Sequence, residues 1–171
     1  MKIQERSMLV DLTIKCWDAT KHDKEVSAEV EKTHAAHDAG RFNKRLIDKA
    51  HLAELSALAS EARNFHYRFT LPWSDKGQRI LPSELFLDYQ QGLAAIKAKF
   101  FKARDSFLVK YPQLVQDARM RLGTMYNPGD YPEPSRLLSS FDMATEIMPV
   151  PDAFDFRVNV DSETQDAIRA Q

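Results

Sequence analysis

Few side chains in this sequence are spaced to perform chemistry, and the best-spaced pair is two histidines. His34 and His37 lie three residues apart, so a helix would place both on one face, where they could ligate a metal with His22 or Asp38. The surrounding segment is rich in alanine and lacks the H-E-x-x-H or Glu-x-x-His pattern of helical metal sites. We therefore predict no metal and no other cofactor, with the histidines exposed or capping helix ends.

Nucleophilic and phosphate-binding chemistry has equally little support. The single cysteine, Cys16, falls on the apolar face of a predicted strand and is expected to be a small buried hydrophobe. The chain has five glycines and none of the glycine-rich phosphate-binding or G-x-S-x-G motifs. Acidic loop residues could bind a divalent ion, but solvated loop charge is the simpler interpretation. These residues are Asp130, Glu133, Asp152 and Asp155. The sequence thus predicts that the protein is not an enzyme.

Basic residues form the more informative group. The net charge of −1 hides a strong asymmetry, because residues 41–121 carry 15 basic and 8 acidic groups (net +7), whereas residues 1–40 have a net charge of −2 and residues 122–171 of −6. Such a cluster could follow nucleic-acid phosphates or dock an acidic protein surface. It could equally be a solvated helix face that the acidic C-terminal region complements. The cations expected to gather are Arg41, Lys44, Arg45, Lys49, Lys97, Lys99, Lys102, Arg104 and Lys110.

The length and composition predict one globular domain over residues 1–171. A chain of 171 residues with 43% hydrophobic and 29% charged residues can bury a core of its own. One cysteine excludes a disulfide framework. The uncharged apolar runs fall well short of ~20 residues, so no membrane span is expected. The charged N-terminus lacks the apolar stretch of a secretory signal.

The elements that must position the cations are two long helices. Residues 42–69 and 82–111 show apolar residues at steps of three and four. The second segment has a heptad pattern typical of a coiled-coil-like helix. Its seam consists of Phe86, Tyr89, Leu93, Ile96, Phe100, Ala103, Phe107 and Leu114. We expect Pro112 to break or kink this helix and a short helix to follow at 112–123. An antiparallel hairpin of these helices would bring the cations together.

The stretch 70–82 joins the two helices and has the composition of a turn. Trp73 lies between Pro72 and Ser74 in this stretch. It could be an aromatic residue that contacts a partner, or it could cap the apolar seam at the tip of the hairpin. The sequence favours the cap but leaves both interpretations open.

Strands are predicted near both ends of the chain. Residues 8–17 alternate between apolar and polar, as a half-buried strand does. A short helix at 23–36 follows, with Asp23 as its cap. Near the C-terminus we predict a short helix at 135–140, strands within 141–160, namely 141–150 and 154–160, and a terminal helix at 163–170. The expected fold is α+β and mainly helical, with a long antiparallel helical hairpin and a small antiparallel sheet of N- and C-terminal strands.

Several segments also resemble one protein family. They are DAGRFNKRLI (38–47), LPWSDKGQRILP (71–82), FLVKYPQLVQDARMRLG (107–123) and YNPGDYP…MPVPDAFDFRV (126–158). Together they are similar to an uncharacterised family of proteins from tailed phages, prophages and integrating mobile elements, over roughly residues 8–160. The resemblance implies a phage or mobile-element origin and the cytoplasm of a bacterial host cell. It implies no catalytic residue.

These observations favour a non-enzymatic phage or mobile-element accessory protein. It would bind a macromolecule through the basic hairpin, and self-association through the heptad seam is also expected. The partner could be a host defence or replication factor, or a phage recombination protein. The alternative is a non-specific DNA- or RNA-binding protein of a phage recombination module, in which the same cations contact phosphates.

Overall fold

The computed structural model describes residues 3–74 and 77–151, and its helices and strands confirm a mainly helical α+β fold. Short 3₁₀ turns occur at Ile3–Glu5, Lys49–Leu52, Ser83–Leu85, Gly123–Met125 and Pro128–Asp130. The predicted strand at 154–160 and helix at 163–170 lie outside the described residues. In chain order the elements are β1 (Ser7–Lys15), β2 (Thr20–His22), α1 (Lys24–Thr33), β3 (Asn43–Arg45), α2 (Ala53–Phe69), β4 (Leu71–Pro72), β5 (Arg79–Pro82), α3 (Phe86–Leu122), α4 (Pro134–Leu138) and β6 (Asp142–Pro149).

The chain divides into two compact units, each built from separated stretches. Unit 1 combines Met1–Thr13, Arg63–Ala94 and Ala144–Gln171, and unit 2 combines Ile14–Ala62 and Ala95–Met143. The long helices α2 and α3 each contribute one part to unit 1 and the other part to unit 2. The predicted single-domain organisation stays a prediction.

The main sheet has four strands in the order β4-β5-β1-β6. The strand β5 pairs antiparallel with both β1 and β4, so Ile80 lies opposite Leu9 on one side and Leu71 on the other. The first and last described strands therefore share a sheet, as the terminal patterns predict. The stretch 70–82, which was expected to be only a turn, adds a hairpin, because Ile80 and Leu81 are buried as strand residues and not left in a loop.

In unit 1 the helices α2 and α3 approach closely at a glycine. A Cβ atom on Gly92 would collide with the ring of Phe65, and that ring is held by stacking on Phe69 with ring centroids 4.6 Å apart. Glycine in a helix interior costs about 1 kcal/mol relative to alanine. The close packing of the Phe65 ring explains why a glycine occupies the second turn of a long helix.

In unit 2 the predicted helix 42–69 is wrong over its first residues. Asn43–Arg45 is the strand β3, which pairs antiparallel with β2, and Asp48 caps a 3₁₀ turn by accepting a hydrogen bond from the N–H of Ala50. The helix α2 therefore begins at Ala53. Strand pairing outweighs local helix propensity in this stretch. The stretch contains no glycine or proline that would indicate the end of a helix.

The predicted break at Pro112 is also wrong, because α3 continues for 37 residues from Phe86 to Leu122 with Pro112 inside it. The Pro112 side chain is exposed. On an exposed helix face, water can hydrate a carbonyl that loses its usual backbone donor to a proline. The helix tolerates the proline for this reason, and no separate helix forms at 112–123.

The heptad seam of α3 is buried as predicted from Tyr89 onward, whereas Phe86 is half-buried. In unit 2 the ring of Phe107 contacts Trp17 and Phe141, at centroid distances of 6.3 and 5.7 Å. The next buried residue of the seam is Tyr111, four residues after Phe107. This spacing leaves Lys110 outside the core. The chain's own aromatic residues thus cover this part of the seam. The seam is therefore not an open surface for a second chain there.

Candidate functional site

All nine cations singled out in the sequence belong to unit 2, but the structure assigns them to three different environments. Arg41, Arg45 and Lys49 are exposed in the stretch that precedes α2, whereas Lys44 in the middle of β3 is buried. The other five lie on α3, where a helix can distribute them over two flanks. These five are Lys97, Lys99, Lys102, Arg104 and Lys110.

The buried cation belongs to an ion cluster made of Lys21, Asp23, Lys44 and Asp130, which we call the Lys44 cluster. The Nζ atom of Lys44 lies 2.7 Å from Asp130 Oδ2 and 3.2 Å from Asp23 Oδ2, and it donates to the backbone oxygen of Met125 at 2.9 Å. Lys21 Nζ approaches the other Asp130 oxygen at 2.8 Å. The three contacts of Lys44 use the three donors of its ammonium group.

The electrostatics of the Lys44 cluster favour the charged forms. Burial alone would lower the pKa of Lys44, but its hydrogen bonds to Asp130 and Asp23 outweigh burial and raise that pKa above its ordinary value. Burial would likewise raise the pKa of Asp130, yet hydrogen bonds from Lys21 and Lys44 hold it below the usual range. The cluster is therefore ionised and internally satisfied. Lys44 is not exposed to a partner, which corrects the expectation that it lies on a basic surface.

The Lys44 cluster instead holds one connection of the chain in place. Asp130 ends the second 3₁₀ turn after α3, Pro128–Asp130, and the hydroxyl of its neighbour Tyr131 donates to the backbone oxygen of Leu46 at 3.1 Å. Asn127 accepts a hydrogen bond from the N–H of Gly129 and so shapes this turn. The cleft beside the cluster has a volume of about 590 Å³. No sequence pattern predicts the Lys44 cluster, because its charged residues come from segments far apart in the chain.

One flank of α3 carries Lys97 and Arg104. The Arg104 guanidinium pairs with Asp105, with Nη2 2.8 Å from Oδ1, and it stacks on the Phe101 ring 4.7 Å from its centroid. The neighbouring carboxylate neutralises this arginine, and the aromatic ring restrains it. This flank therefore offers a partner less free positive charge than the sequence count suggests.

The opposite flank of α3 carries Lys99, Lys102 and Lys110, and it borders α2 within unit 2. Lys99 reaches Glu61 of α2 at 4.0 Å, the outer limit of an ion pair, and these side chains stay 64% and 50% exposed. Exposed pairs of this kind contribute ~1 kcal/mol or less. The lysines of this flank are therefore available to a partner.

A groove runs between α2 and α3 along this flank. One cleft of this groove has a volume of about 440 Å³ and is lined by Glu54, Ala57, Leu58, Glu61, Lys99, Lys102, Ala103 and Ser106. A second cleft shares residues with it, and a third cleft shares residues with the second. Together they continue the surface past Lys110 and Leu114 to Arg121, where α3 faces the residues that precede α2. We call this surface the α2–α3 groove. The groove combines a positive wall on α3 with a negative wall on α2.

Trp73 lies in the turn of the β4–β5 hairpin in unit 1, where its backbone N–H donates to the backbone oxygen of Gln78 at 3.1 Å. Its side chain is 43% exposed, and that of Leu71 is 64% exposed. The aromatic residue is thus accessible, and its contact with a partner stays a prediction.

The candidate metal and nucleophile residues occupy structural or surface positions. His34 follows the last turn of α1 as its C-terminal cap, and His37 is exposed. Over residues 3–74 and 77–151, no group of three or more histidines, cysteines and acids is arranged to hold a metal ion. Cys16 is exposed rather than buried, because β1 ends at Lys15 before the apolar alternation reaches the cysteine.

Unit 1 contains a buried histidine that no sequence pattern identifies. His66 is 3% exposed, and its Nδ1 atom lies 2.8 Å from the hydroxyl of Tyr89. Burial, with a smaller contribution from Arg79, lowers the pKa of His66 to about 4, and burial raises the pKa of Tyr89 to about 12. Both groups are therefore neutral near pH 7 and form a structural hydrogen bond. The heptad predicted that Tyr89 is buried, but nothing in the pattern identified its partner.

The buried histidine predicts a defined pH dependence of stability. The pKa of His66 is about 4 in the folded protein and about 6.5 when unfolded, so the unfolded chain binds an extra proton between these values. Stability therefore falls as the pH drops through this window, by about 2 kcal/mol between pH 7 and pH 5. Urea denaturation of the wild type and of His66→Gln at several pH values measures the effect. Parallel pH profiles for the two proteins would contradict it.

The helices of the described ranges give no indication of a bilayer crossing, since none of them is both long and apolar enough for one. The fold and its surfaces define an α+β protein with two long paired helices and a charged groove beside them. The chain belongs to the family described as "Protein of unknown function (DUF3150)", whose family model matches residues 5–127. This range contains all nine cations and Trp73. No curated protein and no solved structure matches the chain significantly.

Proposed function

We propose that this protein is not an enzyme and binds a partner protein through the positive wall of the α2–α3 groove. The observation that carries the proposal is the accessibility of Lys99, Lys102 and Lys110 on one flank of a long helix. Charge of this kind steers a partner toward the surface and fixes its orientation. The remaining exposed cations, Arg41, Arg45 and Lys49, lie in the same unit.

The biological setting is proposed from the sequence resemblance described above. The protein acts as an accessory factor of a phage or mobile element in the cytoplasm of a bacterial host cell. Its partner is a host defence or replication factor, or a recombination protein of the element.

Binding of DNA or RNA through the same cations is the alternative, and the charge arrangement supports it less. Two carboxylates, Glu54 and Glu61, face the lysines across the groove, and Asp105 pairs with Arg104. A phosphate backbone gains most from an uninterrupted positive surface. A protein partner can complement both signs of charge, so the mixed surface favours it.

Site-specific photo-cross-linking in the host cell tests the proposal. A cross-linking amino acid replaces Lys102 in the full chain, and a matched position, Lys24 on the exposed face of α1, serves as the control. We expect a discrete protein adduct at position 102 that Lys99→Glu weakens severalfold and that position 24 does not give. A nuclease-sensitive adduct, together with DNA binding at about 50 mM salt that higher salt abolishes, would replace the proposal with the alternative. No adduct at position 102 would refute it.

A further inference from the structure

We propose that the element which occupies the α2–α3 groove is an amphipathic α-helix of the partner, with acidic residues along one flank and basic residues along the other. The inference rests on the proposed function and specifies the chemistry of the partner at that same site. Spacing, length, floor and charge of the groove each support it.

The spacing of the lining residues is that of a helix-binding surface. The two helices contribute residues at the same intervals of three, four and seven, which form one straight stripe on a helix. The stripes are Glu54, Ala57, Leu58 and Glu61 on α2, and Lys99, Lys102, Ala103 and Ser106 on α3. Two such stripes side by side form the trough in which a third helix packs in a bundle.

The length of the groove fits a helix of several turns. The three clefts share Glu54, Ala103 and Ser106 at one junction and His51 and Leu114 at the next. The α3 wall runs from Lys99 to Arg121, which at ~1.5 Å per residue is roughly 33 Å. The facing wall is formed by α2 from Glu61 to Glu54 and by the residues before α2 over the remainder. A small molecule would fill only part of such a trough.

The floor of the groove suits close approach of a helix. Leu58 and Ala103 form a nearly buried base, 9% and 7% exposed, and the small side chains of Ala57 and Ser106 stand beside them. Small residues let the backbone of a neighbouring helix come near. The floor offers limited apolar area, so the flanking charges decide which helix binds.

The two walls carry opposite charges, which determines the charge pattern of the bound helix. In the two clefts that α2 lines, the α2 wall presents Glu54 and Glu61, and the α3 wall presents Lys99, Lys102 and Lys110. The third cleft adds charges of both signs, so this charge complementarity concerns the first two clefts. A helix with carboxylates toward α3 and ammonium or guanidinium groups toward α2 complements both walls. A helix with a single sign of charge on both flanks meets repulsion at one wall.

Binding of synthetic helices to the full chain tests the inference. The probes are peptides of about 20 residues, helical over their length, with leucine and alanine on the docking stripe. One carries glutamate on one flank and lysine on the other, and two further peptides carry only glutamate or only lysine on both flanks. We expect the mixed peptide to bind about tenfold tighter than either single-sign peptide, a difference of about 1.4 kcal/mol. Fluorescence anisotropy at low salt measures the affinities.

Variants that reverse the charge of one wall at a time test whether the walls determine the preferred peptide. Lys99→Glu with Lys102→Glu should shift the preference to the all-lysine peptide, and Glu54→Lys with Glu61→Lys should shift it to the all-glutamate peptide. A matched double variant on α1, Lys24→Glu with Lys32→Glu, should leave the order unchanged. A mixed peptide with two central prolines should lose binding, because it cannot form the helix.

Several results would overturn the inference. Equal affinity for the three peptides, unchanged affinity with the proline-containing peptide, or no binding at about 1 mM would each do so. A cross-link from position 102 to residues 163–170 would assign the groove to this chain itself, and sedimentation that depends on Lys99 and Lys102 would assign it to a second copy. Any one of these results could occur while position 102 still cross-links to a partner protein in the cell. In that case the helix inference fails and the proposed function stands.

Discussion

Replacement of Lys44 by methionine is expected to lower the free energy of unfolding by about 3 kcal/mol. The substitution keeps the length of the side chain and removes the ammonium group that lies between two carboxylates. The side chain of Asp130 is only 6% exposed, so it loses one of its cationic partners without gaining free access to water. The backbone oxygen of Met125 also loses its donor. A buried charge left with too few partners costs far more than a broken surface pair.

Urea denaturation with a far-UV circular dichroism signal measures this loss. Lys24→Met is the matched control, because Lys24 lines the same cleft but is exposed, and we expect it to change stability by about 0.5 kcal/mol or less. The double variant Lys44→Met with Asp130→Asn should cost less than the sum of the single variants. A Lys44→Met protein as stable as the Lys24→Met protein would show that the cluster does not support the fold.

Replacement of Pro112 by alanine is expected to raise the free energy of unfolding by about 2 kcal/mol. The helix α3 passes through Pro112 without ending, so the variant regains the missing backbone N–H and loses the clash of the proline ring with the preceding turn. The exposed position leaves room for the new side chain. The gain is smaller than the full intrinsic difference between the residues, because the surrounding helix has adapted to the proline.

Thermal and urea denaturation measure this gain, and Pro134→Ala provides the contrast. Pro134 begins α4, where a helix needs no backbone donor, so its replacement should not stabilise the protein. A Pro112→Ala variant that is no more stable than the wild type would mean that α3 is bent or interrupted at residue 112.

The local patterns predicted most of the elements because they report on a residue's near neighbours. The heptad from Tyr89 onward, the Asp23 cap of α1 and the alternation that forms β1 all follow from contacts within a few turns of chain. The short helix at 135–140 and the strand at 141–150 correspond to α4 and β6. These signals arise from the period of a helix or a strand and do not depend on the rest of the fold.

The remaining features depend on distant partners that no local pattern contains. Asn43–Arg45 has helix-compatible residues, and it becomes a strand because Thr20–His22 pairs with it. Lys44 resembles its exposed neighbours in the sequence, and only the approach of Asp130 shows that it is buried. The candidate groove was partly predictable, since the heptad placed Lys99 beside the seam, but its negative wall required knowledge of how α2 lies against α3.

The position of β1 in the main sheet has a consequence for synthesis of the protein. The strand β1 (Ser7–Lys15) lies between β5 and β6, and β6 (Asp142–Pro149) is the last described element to leave the ribosome. Translation proceeds at roughly 5–20 residues per second, so one edge of β1 stays open for several seconds while nearly all of the described chain is made. An open strand edge is a template for aggregation. A fragment cut to the family range 5–127 would keep that edge open permanently, so expression of this protein should retain β6.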